Sequence, residues 1–167
     1  MNHLIIVISV FTFSVFSLFG QQEDVVALKN EVKKAKEDLK SDLGDKSYDG
    51  TKVTYYQVKK EDDFKELEVY LFLRDDYTLL FNGEASSGKV KLRIFDKPAH
   101  DPNRIQLFEI RNISGKTKEV TEKELNEKLG FYVQDAAPLR SIFVEYEISK
   151  GRSNDRGAVV MMLGYTK

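Results

Sequence analysis

From Thr51 onward the apolar residues of this chain recur at every second position in short runs, and that spacing belongs to strands with one buried face. Lys89–Phe95 sets Val90, Leu92 and Ile94 on one face and Lys91 and Arg93 on the other. Ser141–Ile148 repeats the pattern with Ile142, Val144, Tyr146 and Ile148, and Lys52–Val58 holds Val53 and Tyr55 together. Leu67–Leu73 places Val69, Leu71 and Leu73 on one face and Tyr70 and Phe72 on the other. Arg74-Asp75-Asp76 then reads as a turn into Tyr77–Phe81, which predicts a hairpin. Arg104–Ile110, Phe131–Val133 and Gly157–Tyr165 are further strand candidates. Asn82–Gly88 and Asp96–Asn103 carry the Gly, Asn, Asp, Ser and Pro residues of loops. Thr121-Glu122-Lys123-Glu124 has capping-box form, so Thr121–Leu129 reads as a short helix.

Seven or eight short strands with turns between them predict a mainly β domain. The form expected is an antiparallel β-sandwich, jelly-roll or immunoglobulin-like, preceded by one amphipathic helix. That helix is read over Glu23–Leu43. Val25, Leu28, Val32, Ala35, Leu39 and Leu43 fall on one face at helical spacing. Gly44 suits its C-terminal stop. Two strands are apolar on both faces, Val69–Leu73 and Ala158–Leu163 (AVVMML). Such a strand needs a cover on both sides. The helix, or the capped segment 121–129, is expected to cover the outer face of one sheet.

Before this helix, Leu4–Phe19 is an unbroken run of sixteen apolar and small hydroxyl residues, with no charge before Glu23. A transmembrane helix needs about 20 residues, so the run reads as the core of an export signal. Cleavage is expected between Gly20 and Gln21. The domain plan is therefore a signal at 1–20, the helix at 21–44, a linker at 45–50 and the sandwich at 51–167. The expected location is periplasmic or secreted, with membrane attachment only if the signal stays on. There is no cysteine, so a lipoprotein anchor, disulfides and thiolate metal sites are closed.

The chain has 26 basic and 27 acidic residues, so no basic field speaks for nucleic acid. Its two histidines are His3, inside the signal, and His100. A zinc site built on several histidines is closed to the mature chain. A Ser-His-Asp triad would have to use His100 in the loop Asp96–Asn103. No nucleophile elbow, phosphate loop or dinucleotide motif occurs. In the same loop Asp96, Asp101 and Asn103 are hard oxygen ligands and form the one candidate calcium site. The same residues beside proline also serve ordinary turns. The many tyrosines and phenylalanines read mostly as core. If several of them, such as Tyr56 and Tyr70, share an exposed sheet face, sugar or peptide stacking follows.

Phe64–Asp96 resembles the middle of the bacterial pre-peptidase C-terminal type of β-sandwich: a strand, a Tyr-Thr-Leu strand, a Gly/Ser loop and a strand ending in Phe-Asp. The whole chain, ending Leu163-Gly164-Tyr165-Thr166-Lys167, is similar to uncharacterised exported proteins of Bacteroidetes-type bacteria. The first resemblance implies a jelly-roll accessory or binding module without catalytic residues, and it carries over no site residue.

The function expected is a non-enzymatic exported module of the cell envelope, for binding or structural support, with a protein or glycan partner and no cofactor. Two other readings stay open: a small hydrolase with an unrecognised carboxylate site, and a helix-docked or chaperone-like periplasmic subunit.

Overall fold

The computed structural model of the chain describes residues 24–72, 76–152 and 155–166. The expected signal and its cleavage site at Gly20 and Gln21 lie outside them. A helix, α1, spans 24–42. It stops where Gly44 takes a left-handed φ of 62°, with Leu43 N donating to Leu39 O at 3.0 Å. Eight strands and a second helix follow among the described residues: β1 (Ser47–Gln57), β2 (Asp63–Tyr70), β3 (Asp76–Asn82), β4 (Val90–Phe95), β5 (Gln106–Ile110), β6 (Thr117–Thr121), α2 (Glu122–Tyr132), β7 (Ser141–Ile148) and β8 (Arg156–Thr166).

The strands form two four-stranded antiparallel sheets, ordered β1-β8-β3-β6 and β2-β7-β4-β5. The order follows from one long ribbon of antiparallel pairs, 1 with 8, 2 with 7, 3 with 6 and 4 with 5. Wrapped round a core, the ribbon drops alternate pairs into opposite sheets. This is the jelly-roll form of the sandwich.

The expected hairpin is corrected here. β2 pairs with β7, while β3 pairs with β6 and β8 in the other sheet. Of its expected turn, Arg74 and Asp75 lie outside the described residues and Asp76 begins β3. β1 begins at Ser47 and takes in residues expected to be linker, pairing Ser47 with Tyr165 across a bulge between Tyr48 and Gly50. Phe131–Val133 is not a strand. Phe131 and Tyr132 end α2 and Val133 is its C-cap, its N–H bonded to Leu129 O. The capping box at Thr121 and Glu124 is formed in both directions.

The inter-sheet core is built from inward positions such as Leu79, Phe81, Leu92, Ile94, Ile142, Val144, Val159 and Met161. A second cluster lies on the outer face of the β1-β8-β3-β6 sheet. There Val32, Ala35 and Leu39 of α1 and Leu43 just beyond it meet Leu80, Ala158, Val160 and Met162. This explains AVVMML: alternate residues of β8 serve the two clusters, and α1 is the second cover. Fully burying a leucine or valine side chain stabilises by about 1.5–3 kcal/mol before entropy is counted. The approach is close enough that a Cβ on Gly164 would run into the Leu43 side chain. The other doubly apolar stretch has one cover only: Val69 and Leu71 are buried, but Tyr70 and Phe72 are exposed. No helix among the described residues is long and apolar enough to cross a membrane.

Candidate functional site

The two sheets differ on their outer faces. One is sealed by α1, and the other, β2-β7-β4-β5, has no helix over its centre among the described residues. On β7 the alternation turns Ile142, Val144, Tyr146 and Ile148 inward, so Phe143, Glu145 and Glu147 face out. Register sets Lys91 beside Glu147, Arg93 beside Glu145 and Phe95 beside Phe143 on one flank. On the other flank Phe64 stands opposite Glu147, Glu66 opposite Glu145 and Glu68 opposite Phe143.

These side chains form one ionic network. Arg93 Nη2 lies 2.7 Å from both Glu145 Oε1 and Glu147 Oε2, and Lys91 Nζ lies 3.0 Å from Glu147. Arg104 enters from the β4–β5 loop. Its guanidinium lies 3.8 Å over the Phe95 ring and reaches Glu145 at 3.1 Å and Glu66 at 3.5 Å. The Ala99 N–H donates to Glu66 Oε1 at 3.2 Å, which ties the same loop to β2. Glu145 is buried, so its charge depends on both guanidinium groups. The network holds three cations and three carboxylates, and its charge cancels.

Aromatic residues line its β2 margin. Phe64, Tyr70 and Phe72 are all exposed, Tyr70 at 64%. Phe64 and Tyr70 lie on one face of β2, about 20 Å apart at ~3.3 Å per residue. Tyr70 Oη donates to Glu68 Oε2 at 2.9 Å, and this bond to a carboxylate raises the tyrosine pKa.

Tyr56 does not join Tyr70. It is buried in β1 of the other sheet, its hydroxyl donating to Ser87 O at 3.0 Å. Burial raises its pKa, against hydrogen bonds with Ser86 and Ser87 that lower it. In the β4–β5 loop Asp96 Oδ1 accepts from Ile105 N at 2.6 Å, and Asp101 Oδ1 accepts from Asn103 N at 2.8 Å. Both carboxylates thus serve the loop's own turns. His100 is exposed in that loop. Among the described residues no group of three or more His, Cys, Asp or Glu is placed to hold a metal ion.

Sequence reading missed Phe64, Arg104 and the Lys91–Glu147 network. One signal was present: Phe64-Lys65-Glu66-Leu67-Glu68-Val69-Tyr70 alternates, with both carboxylates and both aromatics in one register.

No protein-family profile matches the chain, and no curated protein sequence matches it. Neither resemblance drawn from the sequence therefore gains support from a family. Among solved structures the chain is similar to a carbohydrate-binding module of endoglucanase Cel5A from Eubacterium cellulosolvens, at 16% identity and TM-score 0.40, over 71% of this chain and 100% of that one. A CBM4 structure is similar at 15% identity and TM-score 0.38, over 74% of this chain and 83% of that one. Bacillus endospore appendages, described as disulfide-linked pili, are similar at 10% identity and TM-score 0.36, over 74% of this chain and 91% of that chain. Likenesses this distant carry no function across.

Proposed function

We propose that this domain is a non-catalytic binding module that holds a neutral glycan against the open face of its β2-β7-β4-β5 sheet. The observation that carries the reading is the pairing, on one uncovered face, of an exposed aromatic margin with a charge-balanced network of fixed polar groups. A pyranose ring offers an apolar face to an aromatic ring. Its hydroxyls suit carboxylates and guanidinium groups held in place by one another. The paired charges satisfy one another, and the further carboxylates of Glu68 and Glu109 on the same face disfavour an acidic ligand.

Glu66, Glu145 and Glu147 are each tied to a cation, which favours holding a ligand over cutting it. The apolar stripe of α1 is used inside the domain, which weighs against α1 as a docking element for another subunit. The reading includes an exported setting at the cell envelope. That part rests on the uncharged apolar run 4–19, and the mass of the mature N-terminus tests it.

The binding test is affinity electrophoresis and calorimetry with soluble β-glucans, xylans and mannans, beside pectate and alginate. At least one neutral polymer is expected to retard the protein. Tyr70→Ala should abolish the retardation without changing the melting temperature. Binding to the charged polymers alone, or to none, would end the proposal.

A further inference from the structure

A second surface lies at the β5 margin of the same sheet, where α2 ends beside β5. Among the described strands β5 is an edge strand, paired only with β4. On β4, Lys89 O accepts from Ser149 N beside β7, and Val90 O accepts from Ile113 N beyond β5. Even-numbered residues of β4 therefore face β5. Glu109, opposite Arg93, must turn its main-chain N–H and C=O to the free edge. An open hollow of about 680 Å³ runs along that edge, lined by the consecutive residues Arg104 to Glu109 and by Lys128 and Tyr132 of α2.

Tyr132 lines the far side, and the aromatic surface continues past it, since Phe131, Tyr132 and Val133 are consecutive and exposed, Phe131 at 81%. The two rings meet edge to face at 5.5 Å. The Lys128 ammonium sits 5.2 Å from the Tyr132 centroid and 5.7 Å from that of Phe131. Lys118 Nζ, outside the lining, stands 5.7 Å from the ring of Phe108, which lines it, and its charge also acts on the Glu124 carboxyl. Among the described residues neither lysine is ion-paired with a carboxylate. The acids of α2 close by are engaged: Glu124 closes the capping box and Glu127 faces Lys123 at 4.0 Å.

We infer that this hollow receives an extended acidic segment of a partner protein, added as a further strand at the free edge of β5. Three features select that occupant. A free strand edge offers main-chain hydrogen bonds that only another peptide backbone can match in register. The aromatic wall takes apolar side chains on one side of such a strand. Lys128 in the lining and Lys118 beside Phe108 outnumber the one acid of the lining, Glu109, and complement carboxylates on the incoming segment. The site adjoins the open face and shares Arg104 with its network, but it lies at the opposite margin of the sheet from Tyr70 and does not depend on the glycan reading.

The experiment titrates the full chain against a fluorescein-labelled peptide alternating glutamate and valine, with its lysine–valine counterpart as control. The acidic peptide should bind and the basic one should not. Joint Lys118→Glu and Lys128→Glu changes should weaken binding at least about tenfold, and so should the pair Phe131→Ala and Tyr132→Ala. N-methylation of alternate peptide amides should abolish it, which a purely ionic contact would survive. Tyr70→Ala should leave it unchanged, keeping this site distinct from the open face. Equal binding of both peptides, or an N-methylated peptide that still binds, overturns the inference. So does sedimentation showing self-association lost with Phe131→Ala, which would make a second copy the occupant.

Discussion

Replacing Leu39 by alanine tests whether α1 is part of the fold or only rests on it. Leu39 is fully buried, at 0% exposure, between the helix and Leu80, Ala158, Val160 and Met162. Losing its terminal carbons removes about 2.4 kcal/mol of transfer free energy at ~0.8 kcal/mol per methylene. A cavity adds to this, because β8 is held between β1 and β3 and cannot collapse onto the gap. Alanine returns a few tenths of a kcal/mol through helix propensity. The expected net loss is about 3 kcal/mol, or roughly 6–12 °C in melting temperature for a chain of this size. Urea unfolding followed by far-UV circular dichroism and tyrosine fluorescence measures it. The control is Val26→Ala, at a position 52% exposed, expected within about 0.5 kcal/mol of wild type. Dye binding to exposed apolar surface should rise in the Leu39 variant, since a loosened helix uncovers the outer face of β8. A loss below about 1 kcal/mol refutes the reasoning, as does a helix signal that melts separately from the sheets.

Tyr146→Phe should be neutral or stabilising by up to about 1 kcal/mol, because among the described residues the buried Tyr146 hydroxyl has no hydrogen-bond partner; a loss above about 1 kcal/mol on denaturation shows that the hydroxyl has one. Glu145→Ala should lower stability by about 2–3 kcal/mol, since it leaves Arg93 and Arg104 facing each other without the carboxylate between them, and a melting temperature equal to wild type disproves the network's role. The Thr121 N–H bond holds the Glu124 carboxyl below its usual pKa, and a lowered folded-state pKa gives stability that is present above the unfolded value and lost as pH falls through the folded one. Glu124→Gln should therefore flatten the fall in melting temperature below about pH 4.5 while leaving neutral-pH stability nearly unchanged; an unaltered acid slope contradicts this.

The two-faced character of Ala158–Leu163 was legible because six apolar residues in a row cannot alternate, and they required two covers. The stripe on α1 supplied one of them, and the capping box located α2. Pairing was not legible in the same way. Tyr77–Phe81 follows closely on Leu67–Leu73, yet nearness in sequence does not name a partner, and the ribbon path sends these strands to opposite sheets. β6 went unseen because Thr117–Thr121 contains a single apolar residue, Val120. For the candidate site, alternation shows which residues share a face but not whether that face is covered, so Tyr56 and Tyr70 looked equivalent. Arg104 left no local trace, because it meets Phe95, Glu66 and Glu145 only once the β4–β5 loop has folded back.

β8 also sets an order in time. It is the central partner of both β1 and β3 and contributes to both apolar clusters, yet it is made after every other described strand. Ser47 waits for Tyr165, its partner across the sheet, and α1 waits for Ala158, Val160 and Met162 before its stripe has anything to dock on. Contacts this distant in sequence place the fold among slow, topology-limited folders. Until residues 156–166 emerge from the ribosome, β1 has no partner and neither apolar cluster can close, although β2, β7, β4 and β5 can already pair. A chain stopped short of them loses both cores together, not merely an edge.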